Sequence, residues 1–296
     1  MKISDDYFKP FPEYEEVFYG DLQQYKKHFL PICSINLKFL DTNRDEWFHF
    51  VSVKEIYDGQ IGQNTQEFHT QYSKLDMIGF DIIDGKYKME ATWDYFEIEH
   101  PNKKNIDTSY SEFMDDFKDV FAEIFEDSAD DFFESIKKQS SEFNSEGLEY
   151  AYNQNETAYL AGKEYYKKYG QIFGSTINNF SSKPVLLEDL ERKDEEQKKN
   201  YPEYNKTYPE FFDFLDDIKF TSKENKDTMM KYDISLEEMQ SFEDTNLIEK
   251  PYNAEGYIFE YIGSFTGYFF QKHGADEVYL FYNKDLKKAV VCFEYS

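Results

Sequence analysis

Arginine is almost absent from this chain, which has only Arg44 and Arg192 among its 296 residues. Arginine is the side chain that most often recognises phosphate and carboxylate groups through two parallel hydrogen bonds. An anionic ligand would therefore have to be held by lysine side chains or by backbone amides. Binding to a nucleic-acid backbone is also disfavoured, because it is driven by clusters of lysine and arginine that displace counterions.

Cysteine is equally scarce, and no long apolar run is present. We expect the two cysteines, Cys33 and Cys292, to be free thiols, since a large cytosolic protein rarely forms structural disulfides. The chain has no run of about 18 apolar residues, the length needed to span a bilayer. Residues 1–14 lack the basic and apolar parts of a secretory signal. The sequence therefore predicts a cytoplasmic protein.

The sequence carries none of the short motifs that identify a reaction. It has no G-x-S-x-G nucleophile turn, no phosphate-binding P-loop and no dinucleotide fingerprint. The five histidines are scattered singly and lie near no cysteine pair, so neither a zinc ligand set nor a Cys-His nucleophile is predicted. No catalytic residue, metal ligand or cofactor is assigned, and a metal site assembled only in three dimensions is left open.

Two acidic patterns match parts of metal sites without completing them. Residues 41–45 have the first spacings of a calcium loop, but Glu46 replaces the required glycine and Ser52 the closing glutamate. A metal-dependent nuclease would need separated carboxylates and an acid-x-Lys pair, which residues 84–86 and 217–219 both supply. Because about a fifth of the chain is acidic, such pairs arise by chance.

The chain has an excess of negative charge and of aromatic side chains. Sixty acids against 33 bases give a net charge of −27, and 30 Phe with 26 Tyr bring the aromatic content to 20%. So much apolar surface predicts a folded protein with a substantial core. The charge indicates either a basic partner or simply a surface that favours solubility. With a basic partner, complementary fields would accelerate encounter, and exposed tyrosines would add contact area at the interface.

The most acidic stretch also has the clearest helical pattern. Residues 107–134 contain eleven carboxylates and a single lysine, Lys118, which gives this segment a charge of −10. Apolar residues recur at steps of three and four up to residue 136, which predicts an apolar stripe with acids around the rest of the helix. That acidic face is either a solvated surface or a docking surface. Its candidate partner-binding residues are Glu112, Asp115, Asp116, Asp119, Glu123, Asp127, Asp130 and Asp131.

The first hundred residues predict a lobe of antiparallel strands with a short helix at its start. Residues 13–30 have a helical pattern that ends at Pro31, and residues 32–40 and 47–56 alternate as the strands of a hairpin. A second hairpin is predicted around Asp84-Gly85, a dipeptide that favours a tight turn. Residues 101–105 form the predicted boundary. It separates a lobe of residues 1–105 from a region of residues 106–296.

The region after the boundary begins with helical patterns. Besides the acidic segment, residues 148–169 predict a helix with a tyrosine-rich face, and residues 186–199 a charged helix or loop. Short helices are predicted over residues 210–218 and 235–242. The tyrosine-rich face is assigned Tyr152, Tyr159, Leu160 and Tyr166.

The end of the chain returns to strand patterns. Residues 256–270, 276–282 and 287–295 predict a three-stranded meander, with Gly263 and Gly267 marking a bulge or a close backbone approach. The predicted fold class is therefore α+β. It comprises an N-terminal antiparallel sheet lobe, a helical middle and a C-terminal three-stranded β meander.

In composition the chain resembles the bacterial immunity proteins that neutralise polymorphic or contact-dependent toxins. It shares their acidity, their richness in Phe, Tyr, Asn and Lys, and their lack of catalytic motifs. Its final strands, EVYLFYNKDLKKAVVCFEYS, are similar in style to the C-terminal strands of that group. The resemblance implies a cytoplasmic bacterial protein that blocks a toxin enzyme, and it assigns no residue roles.

The leading hypothesis is a non-catalytic binding protein that neutralises a basic protein partner, such as a toxin enzyme. No direct contact with nucleic acid or membrane is expected, and the oligomeric state is left open. One alternative is a DNA-mimic regulator whose acidic helix occupies a nucleic-acid-binding site on its target. The other is a hydrolase whose catalytic residues are dispersed along the sequence.

Overall fold

The structure, a computed structural model, describes eight ranges of the chain. They contain eight strands and four α-helices. None of the helices in these ranges is both long and apolar enough to cross a membrane. The predicted helices at 107–136, 210–218 and 235–242 lie outside the described residues. The described residues are 6–39, 42–55, 61–100, 145–180, 184–200, 247–249, 251 and 259–295.

A three-stranded antiparallel sheet, in the order β1-β2-β3, forms the N-terminal part of the fold. Its strands are β1 (Phe8–Pro10), β2 (Phe29–Asn36) and β3 (Trp47–Val53). The pairing of β2 with β3 confirms the first predicted hairpin. The register shifts between Pro31 and Cys33, where proline, which lacks an N–H, is tolerated inside a strand. Every residue of β2 is buried, so this strand is covered on both faces.

Two short helices precede β2, where the sequence predicts a single helix over residues 13–30. They are α1 (Tyr14–Val17) and α2 (Leu22–His28). Gly20 separates them with a φ of 111°, a conformation that suits glycine and interrupts a helix. Asp21 then caps α2 with its side chain. The prediction of one helix ended by a proline is therefore wrong, and β2 begins directly after α2.

A five-stranded antiparallel sheet, in the order β5-β4-β8-β7-β6, joins the two ends of the chain. Because β4 pairs with β8, strands from both sides of the predicted boundary share one sheet. The boundary itself lies outside the described residues, and the division into two regions stays a prediction. The strands are β4 (Met77–Ile83), β5 (Lys86–Met89), β6 (Glu260–Phe265), β7 (Glu277–Asn283) and β8 (Lys288–Glu294).

Local features of this sheet follow from its glycines and turns. Asp84 and Gly85 have φ values of 50° and 78°, the tight turn predicted between β4 and β5. The meander of β6, β7 and β8 is confirmed, and its register shifts at Gly263. A Cβ on Gly267 would lie 2.9 Å from backbone atoms of Ala275, which confirms the predicted close approach.

The two sheets pack face to face around one hydrophobic cluster. Phe29 of β2 lies against Phe80 of β4, with ring centroids 5.5 Å apart. Phe50 of β3 lies against Phe265 of β6 at 6.2 Å. Aromatic pairs of this kind add to the stabilisation from burial alone. The first hundred residues and the last forty therefore contribute to a common core.

The middle of the chain contributes two helices that pack on each other, α3 (Ser145–Tyr169) and α4 (Leu187–Asn200). The helix α3 confirms the tyrosine-rich helix predicted there. The hydroxyl of Tyr159 donates to the carbonyl oxygen of Pro31 at 2.8 Å, which fastens α3 to β2. Leu160, named with the same face, is 47% exposed, whereas Tyr152 and Tyr159 are buried.

Cys33 and Cys292 form no disulfide, as predicted, and both are buried. Burial raises the pKa of the Cys33 thiol well above its usual value. A thiol that stays protonated is a poor nucleophile and a poor metal ligand. Cys33 therefore acts as a small apolar side chain in the core.

Candidate functional site

The eight acids predicted to contact a partner lie outside the described residues, and their arrangement stays a prediction. They are Glu112, Asp115, Asp116, Asp119, Glu123, Asp127, Asp130 and Asp131. Other polar side chains come together within the described ranges. They lie where the chain before the acidic segment contacts the chain after it.

The meeting point is built on Lys54 and Glu55, two charged residues that directly follow β3. Both are almost completely buried. Strand β3 ends at Val53, short of the predicted residue 56, and the N–H of Lys54 donates to the carbonyl of His28 at the end of α2. Buried charges need partners. We call the resulting set the polar junction: His28, Lys54, Glu55, Glu99, Tyr152, Asn155 and Glu156.

Glu55 holds residues from both flanks of the acidic segment. Its Oε1 accepts from the N–H of Glu97 at 3.0 Å, and its Oε2 accepts from the N–H of Ile98 at 3.3 Å. The hydroxyl of Tyr152, on α3, lies 3.0 Å from the same Oε2. Burial raises the pKa of Glu55 to about 7, although the two backbone N–H groups act to lower it.

His28 lies at the end of α2, stacked on Phe96 with ring centroids 4.0 Å apart. Its Nδ1 is 3.0 Å from the hydroxyl of Tyr152, and its Nε2 is 2.8 Å from the carboxylate of Glu99. Burial lowers the pKa of His28 to about 4, against the opposing influence of Glu99. Tyr152 therefore connects a buried imidazole to the buried carboxyl of Glu55.

Glu99 forms the outer end of this chain of hydrogen bonds. Lys27 donates to it at 2.7 Å, and the carboxylate remains partly open to solvent. Burial acts to raise the pKa of Glu99, but the hydrogen bonds from Lys27 and His28 outweigh it and lower the pKa. Glu99 therefore stays ionised and needs a donor on the facing nitrogen of His28.

Lys54 and Asn155 extend the junction to further elements. Lys54 donates to the carbonyl of Lys26 in α2 at 2.7 Å and lies 3.1 Å from the carboxylate of Glu156 in α3. Burial lowers the pKa of Lys54, with Glu156 acting in the opposite direction. Asn155 donates to the carbonyl of Lys54 and accepts from the N–H of His273. The junction thus ties α2, β3, α3 and the segment before β7 together.

A second buried histidine pairs with a serine across β2 and β3. The hydroxyl of Ser34 lies 2.7 Å from Nδ1 of His49, and Nε2 of His49 lies 3.0 Å from the carbonyl of Gly85. A serine beside a histidine is the first part of a nucleophilic site. However, Ser34 is 2% and His49 5% exposed, so the hydroxyl faces the core and not a substrate. Burial lowers the pKa of His49 to about 4.

Within the described residues, no group of three or more His, Cys, Asp or Glu side chains is placed to hold a metal ion. Of the two acid-x-Lys patterns, residues 84–86 form the turn between β4 and β5, and residues 217–219 lie outside the described residues.

Comparisons with known proteins provide no relative from which a role could be transferred: no family model, no curated protein and no solved structure matches the chain. Any role has to follow from charge and geometry.

The polar junction was not predicted from the sequence. Tyr152 was assigned to the tyrosine-rich face without a partner, because its partners Glu55 and His28 are 97 and 124 positions away. One local signal was available. Lys54 and Glu55 are adjacent opposite charges at the end of an apolar strand, and such residues are rarely buried without partners.

Proposed function

We propose that this protein is a non-catalytic binding protein that neutralises a basic protein partner, and that the partner is a toxin enzyme in the cytoplasm of a bacterium. The observation that carries the proposal is the charge of residues 107–134, which is −10 in a chain of −27. Such a field accelerates encounter with a basic protein and repels nucleic acid.

The polar junction supports this proposal through the flanks of the acidic segment. Glu97 and Ile98, which precede the segment, and Tyr152, which follows it, all bond to the carboxyl of Glu55. Both flanks are thereby held on a scaffold of two packed sheets. In general, a binding segment that is fixed at both sides loses less conformational freedom on association, which favours affinity.

The test begins with capture of the partner on the tagged protein from its native lysate at low salt. We expect one basic protein in equal amount, and addition of this chain should abolish the enzymatic activity of that protein. Association should slow as salt is raised, because steering by exposed charges is screened.

Two matched variants then test the acidic segment itself. Each replaces four acids with the corresponding amide, so both lose the same net charge. We expect the variant with four replacements in the acidic segment to bind the partner more weakly. The variant with four replacements at exposed positions of α3 and α4 should bind it almost as tightly as the wild type. Equal affinities for the two would exclude the segment as the contact surface. The first set is Asp115, Asp116, Asp119 and Asp130; the second is Glu149, Glu164, Glu188 and Glu195.

A DNA-mimic regulator would behave differently in the same experiment. Its partner would be a nucleic-acid-binding protein, and DNA or RNA competitor would displace the chain from that partner. Inhibition of a toxin whose active site does not bind nucleic acid should resist such competitors. Displacement of the chain by DNA would therefore favour the DNA-mimic hypothesis over the toxin-inhibitor hypothesis.

A further inference from the structure

The hydrogen bonds of the polar junction require a definite number of protons. Three contacts lie in series: Glu55 with Tyr152 at 3.0 Å, Tyr152 with His28 at 3.0 Å, and His28 with Glu99 at 2.8 Å. Each contact joins two atoms that can both accept, so each needs one proton between them. Glu99 stays ionised and supplies none. Three protons must therefore reside on His28, Tyr152 and Glu55.

Two arrangements satisfy this count. In the neutral arrangement, Glu55 is protonated and donates to Tyr152, Tyr152 donates to Nδ1 of His28, and Nε2–H of His28 donates to Glu99. In the charged arrangement, the imidazolium of His28 donates at both nitrogens and Tyr152 donates to the carboxylate of Glu55. The two differ only in which buried group holds the third proton.

The surroundings favour the neutral arrangement. His28 and Glu55 are both buried, so separating charge between them would leave two poorly solvated ions. His28 is faced by Glu99, by Lys27 and Lys54, by the hydroxyl of Tyr152 and by the ring of Phe96. The two lysines oppose the attraction of Glu99 for a charged imidazole.

Glu55 has its own set of facing groups. They are the N–H groups of Glu97 and Ile98, the carboxylate of Glu97 and the hydroxyl of Tyr152. The carboxylate of Glu97 disfavours a second negative charge nearby. The long 3.3 Å contact from Ile98 to Oε2 also fits an oxygen that carries a proton.

We propose that Glu55, Tyr152 and His28 form a pH-sensitive clamp between α3 and the corner of α2 and β3, closed by a proton on Glu55. When Glu55 releases this proton to solvent, Tyr152 turns its O–H to the new carboxylate. Nδ1 of His28 and the oxygen of Tyr152 then face each other as two acceptors, and their hydrogen bond is lost. This one hydrogen bond between α2 and α3 is lost, the bond between Tyr152 and Glu55 remains, and the imidazole stays neutral.

The clamp goes beyond the proposed function, because it concerns hydrogen bonds inside the protein and holds whether or not a partner binds. It also gives a role to the series of contacts between a buried carboxyl, a phenol and an imidazole. A simple structural network could have used fixed donors and acceptors, as the pair of Ser34 and His49 does.

The test uses the full chain with ¹⁵N-labelled histidine side chains, followed by NMR through the pH range around 7, where Glu55 titrates. The His28 signals are assigned by their loss in His28→Gln. We expect a neutral imidazole with its proton on Nε2 throughout. The Nδ1 signal should move in one step as its hydrogen bond is lost, whereas the signals of His49 should show no such step.

Two variants sharpen the result. In Glu55→Gln the amide cannot release a proton, so the step should vanish and the neutral imidazole should remain. In Tyr152→Phe the Nδ1 signal should stay at its unbonded position at every pH. An imidazolium at His28 below neutral pH, no step in the wild-type chain, or a step that persists in Glu55→Gln would each overturn the clamp. Once His28 is assigned, the wild-type spectra decide even if Glu55→Gln or Tyr152→Phe does not fold.

Discussion

His28 and His49 occupy two regions of the same core and have much in common. Both are buried between aromatic and backbone groups, and burial lowers the pKa of each to about 4. Both use the two ring nitrogens in hydrogen bonds. Burial alone therefore makes both imidazoles neutral at neutral pH.

The partners of the two histidines differ in what they can do with a proton. His49 lies between the hydroxyl of Ser34 and the carbonyl of Gly85, and neither gains or loses a proton near neutral pH. Its two hydrogen bonds have one arrangement. His28 lies in a chain that ends in carboxyl groups at Glu99 and Glu55. Burial thus sets the charge of a histidine, whereas its partners decide whether pH changes its bonding.

The largest effect is expected from removing the carboxyl that closes the clamp. Glu55→Ala leaves the N–H groups of Glu97 and Ile98 without their acceptor and the hydroxyl of Tyr152 without its hydrogen-bond partner. At about 1–3 kcal/mol for each unsatisfied buried group, the free energy of unfolding should fall by about 4 kcal/mol. Chemical denaturation measures this. If Glu55→Ala lowers the free energy of unfolding no more than Ser34→Ala does, the two histidine regions contribute equally to stability.

The next effect is the pH dependence of stability. Folding raises the pKa of Glu55 from 4.5 to about 7, so its protonation stabilises the folded state below pH 4.5. This stabilisation is lost as pH rises towards 7, and at about 1.4 kcal/mol per pKa unit it amounts to about 3 kcal/mol. Glu55→Gln should lack this loss. Its free energy of unfolding should therefore fall less steeply with pH than that of the wild type.

Other buried groups titrate in the same pH range, but they are present in both the wild type and Glu55→Gln. Folding raises the pKa of Asp76 from 3.8 to about 7, so its contribution has the same sign as that of Glu55. The contributions of His28 and His49 are present above pH 6.5 and are lost as pH falls to about 4. The difference between the two pH profiles isolates Glu55. Parallel profiles would mean that Glu55 is ionised in the folded protein.

A smaller effect is expected from Tyr152→Phe, which removes the hydroxyl between Glu55 and His28 but keeps the ring. Two buried polar atoms lose a partner, so we expect a loss of about 2 kcal/mol. Tyr159→Phe is the matched control on the same helix, since its hydroxyl makes one hydrogen bond, to Pro31. It should cost about 1 kcal/mol. Equal losses would contradict the bridging role of Tyr152.

The smallest effect is expected at the second histidine. Ser34→Ala removes one donor, while His49 keeps its hydrogen bond to Gly85. We expect a loss of about 1 kcal/mol, of the same size on both sides of pH 7, because no group of this pair titrates there. If the free energy of unfolding lost in Ser34→Ala changes through neutral pH, the hydrogen bonds of His49 are pH-dependent too. The two histidine regions would then not differ in this respect.

The sequence predicted what depends on local patterns. The turn at Asp84 and Gly85 followed from residues that accept positive φ, and the C-terminal meander from alternating apolar residues. The pairing of β4 with β8 was not predictable, because it joins residues about two hundred positions apart and neither strand encodes its neighbour. The interruption of the first helix was missed because Gly20 was not weighed as a breaker.

The polar junction was unpredictable for the same physical reason. Its members come from α2, the end of β3, the residues before the acidic segment, and α3, and only the packed sheets bring them together. The candidate contact acids, by contrast, were chosen from charge alone. They lie outside the described residues, so the proposed binding surface stays a prediction.

The most direct measurement is the ¹³C signal of the Glu55 side-chain carboxyl, followed by NMR as pH is varied and assigned by its absence in Glu55→Gln. A carboxyl that carries the clamp proton should titrate at about pH 7 and remain protonated below it. A carboxyl signal that titrates near the ordinary pKa of 4.5 would contradict the clamp, because Glu55 would then be an anion throughout the neutral range.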